Sequence, residues 1–140
     1  MSPRYGTPRI VESFRTDTDL TTNQYQAVRI FDSNTVGEVP TDGSFAFGIQ
    51  ENFPLSGSGA HIEVCIGGVT KARAGEAFTV GAALVVNSGN TATGKLFTGT
   101  GTGSYGNTGV AYVIGTALEA SDADSQIITV LVNPWVWTLT

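Results

Sequence analysis

The stretch AHIEVCI at residues 60–66 decides the fold class of this chain. Two sets of residues alternate along it, Ile62, Val64 and Ile66 on one side and His61, Glu63 and Cys65 on the other. Because successive side chains of an extended chain point to opposite faces, this alternation predicts a half-buried β-strand whose first set faces a core. Gly67 and Gly68 follow at once, and they predict the end of this strand and a return of residues 69–73 as a hairpin.

Short runs of β-branched and aromatic residues, separated by Gly, Asn, Asp and Pro, predict further strands along the rest of the chain. They lie at residues 28–31, 82–87, 91–97, 109–120 and 126–133. Residues 91–97 are expected to pair with residues 82–87, and residues 126–133 are expected to pair with residues 109–120 after a polar turn. Helical periodicity is hard to find, so we predict an essentially helix-free, all-β fold, either two packed sheets in a sandwich or a small closed β-barrel.

The run at residues 126–133 is apolar on both of its faces. One face carries Ile127 and Leu131, and the other carries Ile128, Val130 and Val132. A strand with two apolar faces is typical of the centre of a sheet that is covered on both sides. Pro134 has no backbone N–H and is expected to end this strand.

Residues 1–23 differ in composition from the rest of the chain. Their sizeable apolar side chains are only Ile10, Val11, Phe14 and Leu20. So few apolar groups offset little of the entropy lost on ordering, and we predict an extended arm that gains its order from a partner. The chain then divides into an arm at residues 1–23 and a single β domain at residues 24–140.

The chain ends in an aromatic tail. Trp135, Trp137 and Leu139 share one face if the tail is extended. Two interpretations of this stripe stay open: it closes the core of the domain, or it forms a subunit interface, where aromatic residues are enriched.

Composition excludes several classes of partner. Of 140 residues only 14% are charged, the net charge is −5, and the basic residues form no run, which argues against binding to nucleic acid or to an anionic membrane. The low charge suits a protein that works against other protein surfaces. The single cysteine, Cys65, excludes an intrachain disulfide and fits synthesis in a reducing cytoplasm. We find neither a membrane-length apolar run nor a signal peptide.

No motif for catalysis or for a cofactor rises above background. Residues 101–106 match the GxGxxG spacing, but β-rich sequence follows them where a dinucleotide site needs a helix. His61 and Cys65 are about 13 Å apart along a strand, too far to share a metal ion or a proton. Asp17 with Asp19, and Asp122 with Asp124, begin like calcium loops but lack the Gly and Glu that such loops require. We therefore expect no enzyme activity, cofactor or metal site.

Four segments carry a resemblance to a known family. They are HIEVCIGGVTK at residues 61–71, AGEA at 74–77 with VGAAL at 80–84, VIGTALEA at 113–120, and the strand at 127–134. In this order they resemble the cement or head decoration proteins of tailed-bacteriophage capsids, over roughly half of the chain.

The resemblance implies a compact β-barrel or β-tulip domain. It also implies a structural virion protein, made in the host cytoplasm, that binds the outer surface of the phage head. Such a protein stabilises the shell by bridging major capsid subunits, is often a homotrimer, and orders its N-terminal arm against the shell. The arm residues expected to contact the capsid are Arg4, Tyr5, Pro8, Arg9, Ile10, Val11 and Phe14.

Two other functions remain open at this point. A carbohydrate-binding or adhesin module on the virion surface would use aromatic side chains as a sugar platform, with Tyr105, Tyr112, Trp135 and Trp137 as candidates. A small β-barrel hydrolase would need a catalytic pair that the sequence does not reveal.

Overall fold

The computed structural model describes residues 9–38, 46–52, 54, 57–86, 94–98 and 110–138, with the side chains of 110–112 and 135–138 left undescribed. These residues form nine strands and no helix, which confirms the all-β prediction. The strands are β1 (Arg9–Thr16), β2 (Ala27–Asp32), β3 (Thr35–Glu38), β4 (Gly48–Gln50), β5 (His61–Arg73), β6 (Ala83–Val86), β7 (Leu96–Thr98), β8 (Val110–Ala117) and β9 (Ile127–Thr138).

The strands form one sheet in the order β1-β3-β2-β4-β5-β9-β8-β6-β7. β1 also pairs with β5, so that β1, β3, β2, β4 and β5 form a closed circuit of pairings. The β1–β3 pairing is parallel, and the other strand pairings are antiparallel. β5 therefore joins the circuit to an open part of the sheet made of β9, β8, β6 and β7.

β5 follows the predicted alternation in its first half. Ile62 and Val64 are buried, and His61 and Glu63 are exposed. Cys65 was expected on the exposed side but is fully buried, because a second hydrophobic cluster covers that face of β5.

The predicted end of β5 at its glycine pair is wrong. The strand continues through Gly67 and Gly68 to Arg73, where the sequence predicts a hairpin. Opposite this point the register with β1 shifts between Ile10 and Val11, and Gly68 has a φ of +95°. Glycine inside a strand often marks such a β-bulge, which absorbs an extra residue without turning the chain back.

Two hydrophobic clusters lie on the two sides of β5. The first consists of Leu20, Val28, Val36, Ile62 and Val64, with Phe14, Phe47 and Ile66 packed against it. The second contains Ala27, Ala46, Ile49, Cys65, Ala72, Ala74, Phe78, Leu84, Val86, Leu96, Ile114, Ala117, Ile128, Val130 and Val132. The strands of the circuit supply the first cluster, and β9, β8 and β6 supply much of the second.

β9 is the central strand that the sequence predicts, between β5 and β8, but it does not end at Pro134. Val132 pairs with Gly115 and Trp135 pairs with Val113, so the ladder skips Asn133 and Pro134. Because the bulge places the proline where the ladder uses no N–H, the strand continues to Thr138.

The predicted pairing of residues 82–87 with 91–97 is confirmed where β6 runs antiparallel to β7, from Leu84 opposite Thr98 to Val86 opposite Leu96, while residues 87 and 91–93 lie outside the described residues. The β8–β9 pairing is confirmed as well, and it passes through Gly115. A Cβ at Gly115 would lie 2.0 Å from the Leu131 carbonyl oxygen. This position therefore needs glycine for the close approach of two backbones.

Candidate interaction surface

The N-terminal segment is part of the sheet from Arg9 onward. β1 pairs with β5 from Arg9 opposite Gly68 to Arg15 opposite His61, and Leu20 is completely buried. Backbone pairing and two well-placed apolar side chains, Phe14 and Leu20, attach the segment to the domain although its apolar content is low. A division of the chain at residue 23 rests on composition alone and stays a prediction.

One edge of β1 lacks a strand partner among the described residues. β1 pairs with β3 only at Arg15 and Thr16. The Arg15 N–H donates to the Asn34 carbonyl on the β3 side (3.3 Å), and the Thr16 N–H donates to the Ala60 carbonyl on the β5 side (2.8 Å). Since these directions alternate along a strand, the N–H and C=O groups of Val11 and Ser13 point away from β5. We call the backbone of residues 9–14 on this side the β1 edge; it is about 20 Å long.

An exposed apolar side chain lies along the β1 edge. Ile10 is 58% exposed and shares a face of β1 with Phe14. Phe14 packs edge-to-face on Phe47, with ring centroids 5.2 Å apart, at the border of the first cluster. A strand added beside β1 would extend this cluster and cover Ile10.

A second exposed apolar group lies next to β1. Ile30 and Phe31 are 60% and 50% exposed on β2, and the Arg29 guanidinium lies 5.2 Å from the centre of the Phe31 ring. The β2–β3 hairpin reaches β1 where Thr35 pairs with Arg15. The sequence predicts a strand at residues 28–31 but misses this exposure, because β-branched and aromatic residues indicate a strand without indicating which face is covered.

A polar pocket of about 350 Å³ lies beside the first residue of β1. Its lining residues are Arg9, Tyr25, Glu51, Asn52, Glu63, Thr70 and Lys71. Arg9 forms an ion pair with Glu51 (3.5 Å), and the Thr70 hydroxyl donates to the other carboxylate oxygen (2.6 Å). These contacts hold the Glu51 side chain, which is 11% exposed, in one position. Sequence reasoning missed this pocket because its residues come from four separate segments.

The predicted C-terminal stripe is extended in its backbone. Trp135 and Trp137 belong to β9, where their backbones pair with those of Val113 and Ala111. Leu139 lies outside the described residues, as do Arg4, Tyr5, Pro8 and Tyr105. The assignment of these residues to a capsid contact, a subunit interface or a sugar platform stays a prediction.

The residues considered for chemistry are not brought together. His61 is exposed at the start of β5, whereas Cys65 is buried and its Sγ lies 3.4 Å from the Gly67 carbonyl oxygen. Burial raises the pKa of the Cys65 thiol. The described part of the chain contains no group of three or more His, Cys, Asp or Glu residues that could hold a metal ion. Among the same residues, no helix is long and apolar enough to cross a membrane.

Three comparisons place these features among known proteins. The model of a family described as phage cement protein matches residues 15–134. No curated protein is significantly similar to the chain in sequence.

Among solved structures, the chain resembles the head fibre gp8.5 N base of bacteriophage phi29, with a TM-score of 0.57 and 12% identity over 90% of this chain and 95% of that one. It also resembles a chain in the capsid of the Myoviridae phage XM1, with a TM-score of 0.58 and 14% identity over 95% of this chain and 89% of that one. At such identities the likeness shows a shared fold.

Proposed function

Because the chain belongs to the phage cement protein family, we propose that it binds the outer surface of the phage head and bridges neighbouring major capsid subunits. Family membership makes it a capsid-associated structural protein of the virion. Beyond family membership, we propose that the protein binds the outer face of the head, that it bridges capsid subunits, and which of its residues make the contact. A structural family also favours a protein without enzyme activity or cofactor.

The β1 edge is the observation that best supports a particular mode of attachment. Unpaired backbone groups on a strand edge accept another strand, a common way in which proteins bind extended segments. A segment of the major capsid protein would pair with the outward N–H and C=O groups of Val11 and Ser13. Its side chains would cover Ile10 and pack beside Phe14. Arg4, Tyr5 and Pro8, which precede this strand in sequence, would extend the contact toward the N-terminus.

Stabilisation of the shell then follows from mass action. A protein that binds the assembled shell and not its dissociated subunits stabilises the shell by its binding free energy at every occupied site. A homotrimer would multiply this effect, because three linked copies bind with a high effective concentration. In this proposal Trp135, Trp137 and Leu139 contribute to the interface between the subunits.

The test adds the purified protein to shells that lack it. Saturable, near-stoichiometric binding and a higher temperature of shell disruption are expected. Ile10→Ala should weaken binding without lowering the stability of the isolated domain, since this side chain is mostly exposed. Val80→Ala is the matched control, because Val80 is similarly exposed and precedes Gly81, whose N–H donates to the Ala117 carbonyl of β8. Failure of the intact protein to bind the shell encoded beside it would overturn the proposal.

A further inference from the structure

The polar pocket beside β1 contains groups that attachment through the β1 edge does not use. It is open at Glu63 and Lys71, which are exposed, and it is closed at its base by Glu51 and Thr70. Its volume of about 350 Å³ is near the lower end of the range for small-ligand sites. The lining is polar, however, whereas most such sites are apolar.

Two groups that line the pocket, the Asn52 side-chain amide and the Glu63 carboxylate, can still form hydrogen bonds with a ligand. Asn52 accepts a hydrogen bond from the Glu63 N–H (2.8 Å) through Oδ1, so its amide nitrogen is oriented as a donor. Within the part of the chain that the structure describes, neither this Nδ2 nor the Glu63 carboxylate forms a hydrogen bond. A donor and an acceptor thus lie next to each other at the mouth of the pocket.

Tyr25 adds an aromatic group in a strained backbone conformation. Its φ is +66°, which is uncommon for a residue other than glycine, and such strain costs energy. Two backbone hydrogen bonds of 2.7 Å hold it there, from the Tyr25 N–H to Gln50 and from the Arg73 N–H to the Tyr25 carbonyl. The fold therefore keeps an aromatic side chain at the wall of a polar pocket.

We propose that this pocket binds a neutral saccharide. Its two cations, Arg9 and Lys71, balance its two carboxylates, so that neither an anionic nor a cationic ligand is favoured overall. Sugar hydroxyls donate and accept hydrogen bonds together, which matches the adjacent Asn52 amide and Glu63 carboxylate. The ring of Tyr25 offers an apolar face for the C–H groups of a pyranose.

The test titrates glucose, galactose, mannose, N-acetylglucosamine and their short oligomers into isotope-labelled full-length protein. Saturable chemical-shift changes are expected at the Asn52 side-chain amide and at Tyr25, Glu63 and Thr70. Glu63→Ala and Tyr25→Asn should each weaken binding about tenfold, the effect of losing one good contact. Asparagine suits position 25 because it tolerates a positive φ.

Phe31→Ala is the matched control, because it removes an exposed aromatic side chain outside the pocket and should leave binding unchanged. The proposal is overturned if none of these sugars binds, if the shifts lie outside the pocket, or if only sugar phosphates or acidic sugars bind. Both pocket variants should still bind shells normally, so that failure here and failure of the capsid proposal are distinguishable.

Discussion

Val64 and Cys65 are neighbours in β5, yet each is completely buried in a different hydrophobic cluster. Val64 belongs to the cluster formed by the strand circuit, and Cys65 belongs to the cluster that β8 and β9 share. β5 therefore connects the two clusters at adjacent positions, as β2 does through Ala27 and Val28.

Replacing Val64 by alanine should lower the free energy of unfolding by about 2 kcal/mol, because it removes two methyl groups from a packed site. Val80→Ala makes the same chemical change at an exposed position and should have little effect. Urea denaturation of both variants checks this. Equal losses for the two would contradict the burial of Val64.

Gly115→Ala should destabilise the domain by about 3 kcal/mol or more, since the added Cβ would meet the Leu131 carbonyl oxygen at 2.0 Å. Gly57→Ala is the control, because the nearest atoms to its Cβ would lie at 3.7 Å, an ordinary contact distance. Thermal unfolding followed by circular dichroism measures both. An unchanged melting temperature for Gly115→Ala would mean that β8 and β9 are not paired in this register.

Ser13→Pro should weaken shell binding about tenfold or more while the domain stays folded, because it removes an N–H that points away from β5. Glu12→Pro should instead destabilise the domain, since the N–H of Glu12 points toward β5, opposite Val64. Cosedimentation with shells, together with unfolding curves, separates the two effects. Normal shell binding by a folded Ser13→Pro variant would refute attachment through the β1 edge.

Replacing Trp135 and Trp137 by alanine should abolish subunit assembly while the isolated domain keeps its free energy of unfolding. Analytical ultracentrifugation and denaturation of the monomer measure the two quantities. A loss of about 3 to 5 kcal/mol per residue in the monomer would assign these side chains to the domain core instead.

The Cys65 thiol should react with iodoacetamide only when the domain unfolds, because its side chain is buried. Burial raises its pKa above the ordinary value of 9.0, so the unfolded chain releases the thiol proton at a lower pH than the folded domain does. The free energy of unfolding should therefore fall as pH rises past that value. Cys65→Ala should lack this part of the pH dependence, and rapid alkylation of the folded protein would contradict the prediction.

Local alternation in the sequence predicts the strands but not their ends. Ile62 and Val64 face a core as their spacing indicates, whereas Gly67, Gly68 and Pro134 do not end strands although each usually does. Each of these residues lies at a bulge, and a bulge depends on the register with a partner strand. Register is a long-range property, so it leaves no local signal.

The interaction surface was predictable only in part for the same reason. The sequence indicates that residues 9–14 are extended and that Ile10 is available to a partner. It does not indicate that β1 pairs with β5, because their paired residues lie about fifty positions apart. The pocket is even less predictable from the sequence, because Tyr25, Glu51 and Glu63 come together only in the folded domain.

The antiparallel pairing of β1 with β5 has a mechanical consequence. A pull along the axis of β1 stretches all the hydrogen bonds of this ladder at once, in shear, whereas a pull across it would break them one after another. Slippage by one residue would also turn Phe14 out of its cluster, because every side chain changes face. A shell attached through β1 would thus transmit its internal pressure to β5, which both hydrophobic clusters hold in place.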